Sequence, residues 1–453
     1  MQSEPTESGP MREPSVGKGA TVFPGHRSVL RIALPVMLSN VSTPLIGVVD
    51  TAIVGRIPDP VYIGAVALGA LVFTFVFWAF GFLRMGTTGL TAQALGAGDG
   101  EELAAGLGRA LLIAAVVGGV LIALQWPIRE MAFGLIEGSE RVEALARRYF
   151  DIRIWAAPAT LANYALLGWF IGLGRTDIGL VLQLVLNIAN IALDAWFVLG
   201  LGLDVRGVAM GTLFAEYFAA LVGLAMAIRH FRLHGVQMRL ARLLLADRLR
   251  RTLAVNRDIM IRSLALIVVF VWFMAEGARR GDVTLAANAV LMQFVSMSAY
   301  FLDGLAFAAE AMVGRALGAR DRAALTASAR LTTIWAAAVA CLVSATYFVL
   351  GPWIIDLLTA DPATREAARA YLPWAALAPL AGVWAFQLDG IFIGATRSVE
   401  MRKAMLVSLL VFIVAWWLLR PWGNHGLWAA LYVNYLARTL ALGRYYPALV
   451  RSA

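Results

Sequence analysis

Apolar stretches of about 20 residues, the length of helix that crosses a hydrocarbon core of about 30 Å, recur along the chain almost without pause. They fall near residues 30–55, 62–85, 104–126, 146–172, 178–200, 207–229, 258–278, 284–311, 327–350, 370–394, 403–420 and 425–446. Short clusters of glycine, proline and aspartate punctuate them, as in GAGDGEE at 96–102, GRTD at 174–177 and LTADPATRE at 358–366. The pattern predicts an all-α integral membrane protein with about twelve transmembrane helices. Composition agrees, since 60% of the 453 residues are hydrophobic and 15% charged, with a mean hydropathy of +0.75, unlike a soluble chain. Residues 1–27 are polar and rich in Pro, Gly and Ser, with no apolar centre of the kind a cleaved signal needs. They read as a flexible cytoplasmic tail.

The chain also repeats itself. QALGAGD at 93–99 returns as RALGARD at 315–321, and GWFIGLGR at 168–175 returns as GIFIGATR at 390–397. Both pairs are 222 positions apart, Gln93 to Arg315 and Gly168 to Gly390. A register kept over several helices predicts two six-helix lobes related by a pseudo-two-fold axis along the membrane normal, with a cavity between or within them. The boundaries expected are an N-terminal lobe over 28–229, a basic linker over 230–254 and a C-terminal lobe over 255–453.

Charge sets the orientation. The stretch RHFRLHGVQMRLARLLLADRLRR at 229–251 holds seven arginines against one aspartate, and short cytoplasmic loops carry the positive excess. Placing it inside puts both termini and the segments RALGARDR and TRSVEMRK inside too. Arg239, Arg242, Leu243 and Leu244 are spaced like a helix on a surface, which suggests contact with anionic lipid headgroups. Since the basic residues cluster in loops between apolar runs, membrane orientation explains the net charge of +9 better than nucleic acid does.

Polar residues within the spans carry the candidate chemistry, because an Asp, Lys or Arg at mid-helix costs about 2.5–3.5 kcal/mol on insertion scales. Asp50, in VVDTAIVG, has no other acidic residue between Ser28 and Ile57. The bland reading is an interfacial residue at a helix end. On the fifth helix Gln183, Asn187, Asn190 and Asp194 are separated by four, three and four residues, so they share one face. Asp50 and Asp194 together would form a pair able to bind and release protons, with Thr212 and Glu216 of the sixth helix completing the cluster. Pro35 gives the first helix a place to bend. In the second half Gln293, Ser296, Tyr300 and Asp303 form another stripe, continued by Glu310 and joined by Asp389 of the tenth helix. Asp303 and Asp389 are candidates for a cation or substrate site, with Tyr300 beside them, while Glu310 can equally pair with an arginine. Glu276 stands three and four residues from Arg279 and Arg280, the spacing of a surface ion pair. Among aromatics that could meet flat lipophilic cations, Trp78, Phe80, Phe82, Trp384 and Phe386 stand in or near spans, but packing or lipid contact explains any single one better, and none is assigned to a site.

The lone Cys341 rules out a disulfide framework, and four scattered histidines argue against a metal site. No HExxH, GxSxG or Cys/His pair points to an enzyme. No cofactor is expected beyond a coupling ion.

VVDTAIVG, NIANIALD, GVAMGT, LDGLAFAAEAMVGRALGARD and FQLDGIFIGATRSVEMR together resemble the multidrug and toxic compound extrusion (MATE) family, the last two its DinF-like bacterial branch. The resemblance covers nearly the whole chain after the tail. It implies a V of two six-helix lobes, antiport of drugs or toxic metabolites against protons or sodium, and a place in the bacterial inner membrane. It assigns the first-helix aspartate to Asp50, the helix-bending proline to Pro35, the fifth-helix Asn and Asp to Asn190 and Asp194, the sixth-helix threonine to Thr212 and the tenth-helix acid to Asp389. The seventh-helix glutamate of sodium-coupled members finds no counterpart in register, which favours protons. The expected function is export of amphipathic or cationic small molecules by a monomer, with sodium coupling, or flipping of a lipid-linked precursor, as the alternatives. A flippase should gather arginines in its cavity, whereas the membrane-depth charges read as mainly acidic.

Overall fold

The computed structural model describes residues 24–57, 59–135, 139–236 and 240–453; the tail expected over 1–27 lies almost wholly outside them. Among the described residues there is no strand. The first half contains α1 (His26–Val54), a span in two pieces, α2 (Val61–Trp78) and α3 (Phe82–Gly96), then α4 (Gly100–Ala123) and the short α5 (Gln125–Leu135). A second two-piece span, α6 (Glu140–Arg153) and α7 (Ala157–Gly172), leads to α8 (Thr176–Asp194) and α9 (Asp204–Leu233). After α10 (Leu240–Leu243) come α11 (Ala246–Ala278), α12 (Asp282–Gly318), α13 (Arg322–Leu358), α14 (Pro362–Gly394), α15 (Ser398–Leu419), α16 (Gly423–Gly443) and α17 (Tyr446–Arg451). Ten described runs of helix are long and apolar enough to cross a membrane. The last, Ser398–Arg451, folds back as the α15–α16 pair, and α1 completes twelve crossings, six on each side of α10. Leu342, Val349, Leu410 and Leu440 stand exposed on the outer surface, as lipid contact requires.

Several helices are longer than hydropathy predicts. α12 and α13 run for 37 residues each, about 55 Å at 1.5 Å per residue. The second span reaches Gly96 rather than 85 because its polar end, with Thr87, Thr88 and Thr91, is buried in protein. Mean hydropathy falls wherever polar residues gather, even when they are buried in protein, while a helix continues as long as its backbone hydrogen bonds are satisfied.

The repeat is visible in backbone geometry. The turn after α3 takes positive φ at Gly98 (69°) and that after α12 at Arg320 (56°); the turn after α7 does so at Gly174 (73°) and that after α14 at Thr396 (52°). Asp99 and Asp321 then cap the next helix, accepting from the amides of Glu102 at 3.0 Å and Ala324 at 2.9 Å. Within the first lobe Gly168 and Gly172 press on the carbonyls of Arg84 and Thr88, and within the second Gly390 and Gly394 press on those of Ala306 and Glu310. Every one of these correspondences keeps the 222-residue offset.

The lobes close on each other at the end that carries α10. Gly96 meets the carbonyl of Arg315 and Gly318 that of Gln93, so the two copies of the repeated heptapeptide form a symmetric, backbone-to-backbone seam. Gln93 Nε2 adds hydrogen bonds of 3.0 Å to the Gly394 carbonyl and to Thr396 Oγ1. Further along, Gly304 of α12 packs on Ala33 and Met37 of α1, and Asn40 Nδ2 donates to the Tyr300 carbonyl at 3.2 Å.

The basic linker departs from its expectation. Arg242 pairs with Asp99 at 2.9 Å and Glu101 at 2.8 Å, while Arg109 Nη1 donates to the Arg242 carbonyl at 3.1 Å. This part of the linker rests on the acidic turn of the first lobe rather than lying free for lipid headgroups; Arg239 lies outside the described residues.

Candidate functional site

A cavity of about 940 Å³ lies between and within the lobes, near the upper end of ordinary ligand pockets. The first lobe lines it with residues of α1, α2, α3, α6, α7, α8 and α9, and its carboxyl pair comes from α1 and α8. Asp50 stands one turn before the end of α1, with its carboxyl beside that of Asp194, close enough for the two to share a proton. Asp194 is fully buried and accepts from Asn190 Nδ2 at 3.1 Å. The same Asn190 amide reaches Thr212 Oγ1 at 3.1 Å. Toward the α10 end, Gln183 Nε2 donates to Asn187 Oδ1 at 2.7 Å, and Asn187 Nδ2 donates to Ser42 Oγ of α1 at 3.2 Å. The polar stripe of α8 is thus one hydrogen-bonded face turned toward α1 and α9. Gly211 explains the close approach: a Cβ there would strike the Asp194 carboxylate.

Glu216 does not join this network. It accepts from Asn163 Nδ2 at 2.7 Å and pairs with Arg153 at 3.4 Å. Pro35 sits inside a continuous α1, and the Arg31 carbonyl it leaves without an amide partner receives Thr176 Oγ1 at 3.4 Å.

Three acceptor oxygens, Oδ1 of Asp50, of Asp194 and of Asn190, are buried with no donor among the described residues. A buried acceptor without a donor costs about 1–3 kcal/mol. A proton on either carboxyl turns one acceptor into a donor and satisfies its neighbour. A cation would satisfy the same oxygens.

The second lobe is organised differently. Ser296, Tyr300, Asp303, Glu310 and Asp389 line the cavity, whereas Gln293 is exposed and falls out of the stripe. Glu310 pairs with Arg84 of the other lobe at 3.2 Å, and the Arg84 guanidinium lies 3.7 Å over the Phe307 ring. Asp389, expected as a cation or substrate site, is held instead by Arg262 and Arg438, both on its Oδ2. A carboxylate neutralised by two guanidiniums is not open to a metal cation. Glu276 pairs with Arg279 at 2.7 Å, outside the cavity. Of the aromatics considered, Trp78 and Phe386 line the cavity.

The expectation of a mainly acidic interior is therefore corrected. Arg84, Arg153, Arg262 and Arg438 share the cavity wall with Asp50, Glu216, Asp303, Glu310 and Asp389. The arginines carry the same signal in the sequence as the acids, a charge inside an apolar run, as in FGFLRMG, IMIRSLA and NYLARTL, and the cost of burying charge marks either sign.

The MatE family model matches residues 35–196 and again 259–418, one match on each half of the repeat. DNA damage-inducible protein F of Escherichia coli K12 is 44% identical over 423 residues, covering 92% of this chain and 91% of that protein. A probable multidrug resistance protein NorM of Caulobacter vibrioides is 27% identical over 445 residues, covering 92% and 90%. A crystal structure of a MATE protein in the bent conformation superposes with a TM-score of 0.86 at 18% identity, over 96% of this chain and 98% of that one. With its two matched lobes, its twelve crossings and this extent of identity, the chain belongs to the MATE family of membrane transporters, on the DinF-like branch.

Proposed function

We propose that the protein is a proton-coupled exporter of lipophilic or cationic small molecules in the bacterial inner membrane, with the α10 end and both termini in the cytoplasm. The observation that carries the reading is the Asp50–Asp194 pair, two adjacent carboxyls with donorless buried oxygens, the first of them lining a cavity between two repeat-related lobes and the second buried behind it.

With the cytoplasmic seam closed, a proton arriving from outside settles on the pair. The new O–H competes for the acceptors that Asn190 and Thr212 now serve, and α1 shifts about Pro35, where its hydrogen-bond ladder already lacks a rung. That movement narrows the first-lobe part of the cavity and expels a bound cation outward. The seam between Gly96 and Gly318 then opens, the proton leaves inward, and a new substrate enters. Exchange of one proton for one monovalent cation is electroneutral, so one unit of pH difference supports a tenfold gradient. A second proton would add the membrane potential, about 2.3 kcal/mol per charge per 100 mV.

The test is ethidium transport in proteoliposomes with a proton gradient or a sodium gradient imposed separately. Transport driven by the proton gradient alone is the expected result; transport driven by sodium alone overturns proton coupling and makes the same three oxygens a sodium site. Transport of neither kind removes the exporter reading and returns the flippase alternative.

A companion variant checks the geometry of the pair. Gly211→Ala places a methyl group against the Asp194 carboxylate and is expected to lower proton-driven ethidium transport at least about tenfold, or 1.4 kcal/mol, with unchanged assembly by size-exclusion chromatography. Wild-type rates would show that the carboxyl has room to move and that its present position is not required.

A further inference from the structure

Two of the four arginines in the cavity wall have a plain reason to be there. Arg84 answers Glu310 and Arg153 answers Glu216, one guanidinium to one carboxylate. The pair on the second lobe does not balance in this way. Arg262 from α11 and Arg438 from α16 converge on a single oxygen of Asp389, so two cations share one hydrogen-bond acceptor. Asp303 is close enough to both to feel their charge, yet no side-chain hydrogen bond joins it to either among the described residues. Arg438 is itself only 4% exposed, and its Nε–H has no acceptor. A guanidinium carries five donors in a fixed fork suited to a planar or tetrahedral oxyanion. Here one such fork, buried and incompletely used, faces a cavity, with Phe386 5.8 Å from its carbon and Tyr435 beside it as apolar surface.

We propose that Arg438, with Arg262, forms an anion site for the acidic head of amphipathic solutes, organic sulfonates or carboxylates, while Phe386 and Tyr435 receive the apolar body. The proposal rests on the exporter reading of the same cavity and extends its substrates from cations to anions and zwitterions. The cavity is bipolar: the carboxyl pair of the first lobe serves positive groups and the arginine pair of the second serves negative ones. An incoming oxyanion competes with Asp389 for the guanidinium groups of Arg438 and Arg262. Asp389 is thus an internal competitor, a stand-in for the ligand that occupies both guanidiniums when the site is empty. Removing Arg438 leaves Asp389 paired with Arg262, so Arg438→Gln creates no isolated buried charge.

The experiment compares two probes of one shape and opposite charge, 2-naphthalenesulfonate and naphthyl-trimethylammonium, binding to the full chain in phosphatidylcholine nanodiscs, with empty discs subtracted. Arg438→Gln is expected to weaken the sulfonate at least tenfold and the ammonium less than twofold. Asp389→Asn, which removes the internal competitor, is expected to tighten the sulfonate severalfold. An unchanged sulfonate affinity in Arg438→Gln, or equal losses for both probes, overturns the site. If Arg438→Gln does not assemble, Asp389→Asn decides alone, since unchanged or weaker sulfonate binding there refutes the competition. Competition by phosphatidylglycerol added to the discs would assign the site to a lipid headgroup and overturn the solute form of the proposal. Ethidium transport by the same wild-type preparation separates the two readings: transport without sulfonate binding sinks only this inference, and absence of both sinks the exporter reading beneath it.

Discussion

Asp50→Asn is expected to reduce proton-driven ethidium export by more than about fiftyfold, a loss of about 2.3 kcal/mol. Asparagine has the shape of a protonated aspartic acid and can donate to Asp194, whose Oδ1 has no donor among the described residues. The variant therefore mimics the proton-loaded state permanently. It satisfies the buried acceptors that in the native protein wait for a proton, and it cannot release what it never bound. Two consequences separate this account from simple damage. Ethidium affinity should fall, because the loaded state is the one that expels cation, and substrate binding should no longer release protons into a weakly buffered solution. Asp194→Asn should share the transport defect, since the two carboxyls act as one unit. Export by Asp50→Asn at the native rate would return Asp50 to the status of an interfacial residue near the end of α1.

Gly318→Val should abolish turnover by a different route. The seam at the α10 end is held by backbone contact, and a Cβ at Gly318 would overlap the carbonyl of Gln93, as one at Gly96 would overlap that of Arg315. Neither obstacle is the tip of a flexible side chain, so the lobes must part. The variant is expected to stay open at the linker end and to lose more than about tenfold in export, or 1.4 kcal/mol. The direct readout is labelling. With Cys341, the single cysteine, replaced by Ser, and a cysteine introduced by Ile393→Cys, which lines the cavity and whose carbonyl meets Gly89 across the lobes next to the seam, a membrane-impermeant maleimide supplied from the linker side should react at least tenfold faster in Gly318→Val than in its parent. Gly96→Val should behave alike by symmetry. Equal labelling in variant and parent would mean that the seam yields without opening.

Much of the architecture was legible because a membrane leaves the backbone few choices. Each crossing needs a run of apolar residues and an internally satisfied helix, and the punctuation of QALGAGD and RALGARD announces two copies of one fold. The turn chemistry survives the repeat even where the residue does not: Arg320 and Thr396 adopt the left-handed backbone that glycine supplies at Gly98 and Gly174. The α8 stripe was legible too, since four polar residues on one face of an apolar helix need partners.

The charged residues divide differently. That Asp50, Asp194, Glu310, Asp389 and the buried arginines would need company follows from the sequence alone, because an unpaired charge in hydrocarbon is too costly to keep. Which partner each one takes does not follow. Arg84 meets Glu310 across 226 residues and Arg262 meets Asp389 across 127, pairings set by how α3, α11, α12 and α14 pack. Tertiary structure alone decided that Asp389 is covered by two guanidiniums, that Glu216 turns to Arg153 and that Gln293 faces outward. It also showed that Gly211 stands against Asp194 and that the repeated glycines close one end of the molecule. Periodicity marks a helical face to within a residue or so, but a hydrogen bond is made or lost within an ångström, and only the packed helices define distance on that scale.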